Sequence, residues 1–158
     1  MEEIKITDLR TKLVLGMRRR GSYSEITNMI GTLCQYAFSK DAAMVGSPIF
    51  ICHDQDHRSA PDADKFNNAD IEVVVPIAQR IEESGHIKCY DLPGGAMVKM
   101  IHRGLYSECG SSYVKLIAWA KANEKEIIGP MREAYLNDPK IAGASEALTE
   151  IYAPINDL

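Results

Sequence analysis

The chain says nearly the same thing twice. Residues 19–25 read RRGSYSE and residues 102–108 read HRGLYSE, matching at Arg20/Arg103, Gly21/Gly104, Tyr23/Tyr106, Ser24/Ser107 and Glu25/Glu108. The two phrases lie 83 residues apart. The same offset aligns Ile4/Ile87, Lys5/Lys88, Asp8/Asp91, Leu9/Leu92 and Met17/Met100, so 3–25 and 86–108 share ten identities in 23 positions. Downstream, GSP at 46–48 faces GP at 129–130. IEVVVPI at 71–77 faces TEIYAPI at 149–155 at an offset of 78, with Glu72/Glu150, Pro76/Pro154 and Ile77/Ile155 in register. A loop shorter by five residues in the second copy reconciles the two offsets. A chain of 158 residues is one domain in length, so the duplication means one core plan used twice, over about 3–80 and about 86–156.

The unit is legible locally. An extended segment opens each copy, at 3–18 and 86–102. In AMVKMIH, Met97, Lys99 and Ile101 alternate with Val98, Met100 and His102, the period of a strand. Pro93-Gly94-Gly95 predicts a turn or bulge in the second copy. Gly21 and Gly104 end the segment, where a turn is easy without a Cβ. Ser and Glu follow, which suit a helix start. Ile26, Met29, Ile30, Leu33 and Ala37 then form one helical stripe, and Cys109, Tyr113, Leu116, Ile117 and Ala120 form the other. Two strands complete each copy: SPIFICH and ADIEVVVPIA, then GPMREAYLND and ALTEIYAPI. Strand-helix-strand-strand, twice, predicts an α+β fold with pseudo-twofold duplication: an antiparallel sheet with two amphipathic helices. The connections DQDHRSAPDADKFNN and NDPKIAGASEA are polar and read as exposed loops.

Composition narrows the function classes. The net charge is −4 and the sequence pI about 5.6, which argues against direct nucleic-acid binding. The one basic run, Arg18-Arg19-Arg20, reads as a solvated strand end. There is no long apolar segment and no signal peptide, so a cytoplasmic protein that neither spans nor coats a membrane is expected. Cys34, Cys52, Cys89 and Cys109 form no CxxC pair and read as small buried residues. His53, Asp54, Asp56 and His57 crowd the stretch HDQDHR, but their counterpart LNDPK keeps no histidine and the spacing fits no metal loop. No metal and no cofactor is expected, and no phosphate-cradling or nucleophile motif occurs.

The strand carboxylates are the candidates for chemistry. Glu150 sits in the apolar run LTEIYAPI with Tyr152 two residues on, and Glu133 precedes Tyr135 in MREAYLND with the same spacing. Residues two apart on a strand share a face. If these strands pair as a hairpin, carboxylates and phenol rings gather on one sheet face. Such a group suits an organic cation, because ring faces attract it and burial strengthens the ion pair. The same carboxylate, desolvated, would serve as a general acid or base. The alternative is the solvated side of an amphipathic strand. Glu72 is the first copy's equivalent of Glu150 but is followed by Val74 rather than tyrosine. Trp119, on the flank of the second stripe, is either core or pocket wall.

HRGLYSE, GPMREAYLNDP and the terminal LTEIYAPI resemble the GyrI-like, or AraC-type effector-binding, domain over nearly the whole chain. The resemblance implies a pseudo-twofold pair of units with a ligand cleft between them. It also implies a buried strand glutamate that binds cationic or amphipathic compounds among aromatic residues. That position matches Glu150, with Tyr106, Tyr135 and Tyr152 as aromatic partners. The strand unit begins near residue 4, so the chain resembles the standalone members. Some of those sequester toxins, some hydrolyse cyclopropane-bearing genotoxins with a glutamate and aromatic residues, and one type inhibits DNA gyrase. The expectation is a multidrug- or toxin-binding protein with Glu150 as counter-ion. A hydrolase using Glu150 as general acid or base is the alternative, and a protein partner such as gyrase is the third reading.

Overall fold

The computed structural model describes residues 4–54, 68–104, 109–137, 143 and 146–156. The fold is α+β. The described residues form β1 (Lys5–Leu9), β2 (Lys12–Gly21), α1 (Ile26–Ser39), β3 (Ile49–Cys52), β4 (Ala69–Pro76), β5 (Lys88–Leu92), β6 (Gly95–Arg103), α2 (Cys109–Ala122), β7 (Met131–Tyr135) and β8 (Leu148–Pro154). Every strand pairing described below is antiparallel. None of the described helices is long and apolar enough to cross a membrane.

The chain divides into two compact units, 11–93 and 1–10 together with 94–158. In the first, the strands run β5-β2-β4-β3, and α1 packs on β2 and β4. Leu15, Leu33, Ala37, Ile71, Val73 and Val75 are fully buried. Sequestering each large side chain contributes about 1.5–3 kcal/mol. Ser22 and Glu25 start the helical segment with a capping box: Ser22 Oγ accepts from Ser24 N, and Glu25 Oε2 accepts from Ser22 N at 2.8 Å.

The second unit has the matching order β1-β6-β8-β7, with α2 packed on β6 and β8. Val98, Met100, Cys109, Leu116, Ala120, Ile151, Ala153 and Ile155 form its core. Both helices end alike. Asp41 and Glu124 adopt left-handed φ of 55° and 57°, and Ala42 N and Lys125 N reach back to Ala37 O and Ala120 O at 2.9 and 2.8 Å.

The opening segments depart from expectation. The break at 93–94 falls at the turn or bulge expected from Pro93-Gly94-Gly95, but the first copy, expected to open with one extended segment, also breaks, at residues 10–11. Pro93 lacks the N–H needed to continue a ladder. Each leading piece then pairs with the other copy's long strand: β1 joins β6, and β5 joins β2. Repeat and compact unit therefore differ by one reciprocally exchanged strand.

Candidate functional site

Register decides which side chains can meet. Glu133 pairs with Ile151, and Ala134 with Glu150. Paired residues point to the same face, and neighbours along a strand to opposite faces. Glu133 and Tyr135 therefore share the face of Met100, Ile151 and helix α2, whereas Glu150 and Tyr152 point the other way. The single carboxylate–phenol group expected from the hairpin is instead two groups on opposite faces of one sheet.

On the helix face, Glu133 is 8% exposed. Each of its carboxylate oxygens accepts one phenolic hydrogen bond: Oε2 from Tyr113 of α2, and Oε1 from Tyr135 at 3.1 Å. No described Lys, Arg or His is ion-paired with it. Burial pushes its pKa up; the two phenols and the nearby His102 oppose that shift without cancelling it. His102 is also buried, with Nδ1 2.8 Å from Ser112 Oγ. Thr149 and Cys109 complete the buried polar lining, and burial pushes the Cys109 thiol up to about 12, which keeps it inert.

The first unit shows that the scaffold does not need this polarity. Its β3–β4 register places Phe50 opposite Val73, where the other unit places Glu133 opposite Ile151. By the same offsets, Cys52 stands for Tyr135, Ile71 for Thr149, Met29 for Ser112 and Ile30 for Tyr113. The first copy fills this space with mostly apolar groups, including fully buried Ile71. The second fills it with a carboxylate, two phenols, two hydroxyls and an imidazole. Burying polar groups costs more than burying hydrocarbon, so the difference points to function.

On the opposite face, Glu150 is tied down. Lys99 Nζ lies 2.8 Å from Glu150 Oε2, and Tyr152 donates to the same oxygen at 2.5 Å. Burial and the adjacent carboxylate raise the Tyr152 pKa. The first copy's Glu72 occupies the same register position, between Arg18 and Ile51 as Glu150 lies between Ile101 and Ala134. Its partners differ: His53 Nε2 at 2.6 Å and the Tyr90 hydroxyl at 2.5 Å. Gly16 stands where Lys99 stands, and a Cβ there would collide with Tyr90 Oη. Glycine thus lets Tyr90 cross to Glu72, and lysine supplies the counter-charge in the other copy.

Trp119 is partly buried against the core of its unit. Tyr106, Asp56 and His57 lie outside the described residues. Among the described residues, no three His, Cys, Asp or Glu side chains are grouped to hold a metal ion. Sequence reasoning missed Tyr113, which it counted as a stripe residue, and it missed His102, Ser112 and Lys99. Reading the aligned copies for apolar-to-polar changes flags Tyr113 and Ser112 directly.

Residues 2–156 match the family profile of the GyrI-like small molecule binding domain. No curated protein matches the sequence. Among solved structures, the EcmrR C-terminal domain superposes with a TM-score of 0.87 at 18% identity, covering 100% of this chain and 99% of that one. EcmrR in a complex with DNA gives 0.86 at 19% identity over 99% of this chain, which spans only 58% of the EcmrR chain. A hydrolase from Listeria innocua gives 0.73 at 13% identity, covering 98% and 92%. SAV2435 bound to tetraphenylphosphonium gives 0.60 at 10% identity, covering 98% and 94%. At these identities the likeness is one of fold.

Proposed function

Since the chain belongs to the GyrI-like small molecule binding domain family, we propose that it captures amphipathic organic cations, with Glu133 as the charge that holds them. One observation carries this reading: Glu133 is a buried carboxylate with phenolic partners and no ion-pair partner among the described residues, where the sister copy has Phe50. A carboxylate in that state gains more from an incoming cation than one already neutralised. Tyr113 and Tyr135 supply ring faces as well as hydroxyls, suited to an aromatic or quaternary cation. The ligand competes with the two phenols, so entry requires the Tyr113 side of α2 to yield. Glu150 remains a candidate counter-ion, and there a ligand must displace the Lys99 ammonium.

The test is calorimetric titration with tetraphenylphosphonium, and with triphenylphosphine oxide as an uncharged comparator. Glu133→Gln is expected to weaken binding of the cation by about tenfold or more, on the scale of a charge-assisted contact, and to leave the neutral compound little changed. Tight binding of the cation by Glu133→Gln together with its loss in Glu150→Gln would move the site to the opposite face.

The raised pKa of Glu133 favours a second reading. A buried carboxyl group whose pKa is raised holds its proton more firmly and can deliver it to a strained ring as a water adds to the carbon released, which is overall hydration of the ring. Mass spectrometry of a cyclopropane-bearing genotoxin incubated with stoichiometric protein decides: a product heavier by one water supports hydrolysis, and unchanged substrate rejects it for that class.

A further inference from the structure

The face of the first unit that carries Glu72 holds more polar groups than a glutamate needs. Glu72 Oε1 lies 2.6 Å from His53 Nε2, and Glu72 Oε2 accepts from the Tyr90 hydroxyl at 2.5 Å. Arg18 pairs with Glu72 across β2–β4 and so points to the same face. Asp70 Oδ1 and Oδ2 accept from Arg18 Nε and Nη2 at 2.9 and 2.8 Å. Arg18 foremost holds the Asp70 carboxyl below its ordinary range, and His53 lies near enough to add to that effect. Each carboxylate thus fixes one nitrogen-bearing side chain. A carboxylate only accepts, so Glu72 takes the N–H of Nε2 and leaves a lone pair on Nδ1 of the neutral imidazole. Among the described residues, none bonds His53 Nδ1 or Arg18 Nη1. In the sister copy Leu136, Thr7, Ile101 and Leu148 stand where this one has His53, Tyr90, Arg18 and Asp70, and Lys99 supplies the counter-charge. Balancing the strand glutamate therefore does not require an imidazole, a phenol or a clamped guanidinium.

We propose that the first unit hydrolyses small, uncharged, activated esters, with His53 as general base on a water and Arg18 beside the carbonyl oxygen. This site is independent of Glu133, which belongs to the other unit. His53 Nδ1 takes a proton from water as the water oxygen bonds the acyl carbon, and the carbonyl electron pair moves to the oxygen beside Arg18 Nη1. The carbonyl then re-forms, the bond to the leaving oxygen breaks, and the imidazolium returns its proton to that oxygen. Ester and water give acid and alcohol. Glu72, held in turn by Tyr90, is a positioning residue that fixes the tautomer and orientation of the imidazole. Asp70 positions Arg18 in the same way. The substrate class follows from the surroundings. The His53 and Glu72 side chains are 19% and 13% exposed, which admits a small group. Ile51, paired with Glu72, and Val74, two residues on, are buried apolar neighbours on this face. Arg18 is already matched by Asp70, so an uncharged substrate fits better than an anion.

Turnover of p-nitrophenyl acetate by the whole chain at pH 8 tests this. His53→Ala should lower kcat/KM about a hundredfold, and added imidazole should restore activity along a saturating curve. Glu72→Gln should lower kcat and leave KM little changed, as loss of orientation rather than of binding. A folded His53→Ala as active as the wild type overturns the proposal. So does a wild-type rate constant no larger than that of free imidazole, a comparison that needs no variant to fold. An acetylated His53 accumulating in mass spectra of the wild type overturns the role of general base.

Discussion

Glu133→Gln should make the protein more stable and a worse binder at once. Glutamine keeps the shape of the protonated acid and removes the ionisable proton. In the wild type, Glu133 is 8% exposed and its folded pKa is raised. The native state then holds a proton to higher pH than the unfolded chain does. Stability from this group is complete below the ordinary glutamate range and is lost as pH rises through the folded value. The two phenolic bonds return about 1.5–3 kcal/mol each to the charged form, yet the upward shift remains, so burial outweighs them. At pH 8 the variant should be more stable by about 1–3 kcal/mol, the cost of an uncompensated buried group, or roughly 2–4 °C in Tm per kcal/mol for a chain of this size. At pH 4 the advantage should vanish. Thermal melts across pH, with and without tetraphenylphosphonium, provide the assay. The probe should raise the Tm of the wild type at pH 8 and not that of the variant. A variant destabilised equally at pH 4 and pH 8 would refute the reasoning, because Glu133 would then be a hydrogen-bonded strut rather than a charge held in reserve.

Other consequences follow from the same geometry. Tyr113→Phe removes an O–H that favours ionised Glu133, so the pH-dependent loss of stability should end at higher pH, read as the shape of Tm against pH. Lys99→Met strips Glu150 of its ammonium and should cost about 1–2 kcal/mol at pH 7, measured as a lower urea midpoint. Gly16→Ala places a Cβ against Tyr90 Oη and should cost about 1–3 kcal/mol. Tyr90→Leu in the same chain should recover much of that, a coupling measurable as a double-mutant cycle.

Much of the architecture was readable from the sequence because it rests on local periodicity. The stripes Ile26–Ala37 and Cys109–Ala120 became helices, and the runs around Ile49, Ile71, Met131 and Leu148 became strands, since period and turn chemistry act over a few residues. The Glu-x-Tyr spacing also held within each strand: Glu133 bonds Tyr135, and Glu150 bonds Tyr152. What lay between strands was not legible. A pattern with period two cannot say which face of one strand continues which face of the next, and a one-residue change in register turns every side chain over.

The sequence by itself determined the two helices, the two strands that follow each of them and the order in which they come, because periodicity is a property of the chain. Tertiary structure alone decided that the leading strands are exchanged, that Lys99 neutralises Glu150 across a diagonal of β6 and β8, and that Glu133 is sealed under Tyr113. Each of these is a contact between residues distant in sequence. Its energy depends on burial and on which partner arrives, quantities that exist only once the sheet has closed on its helix.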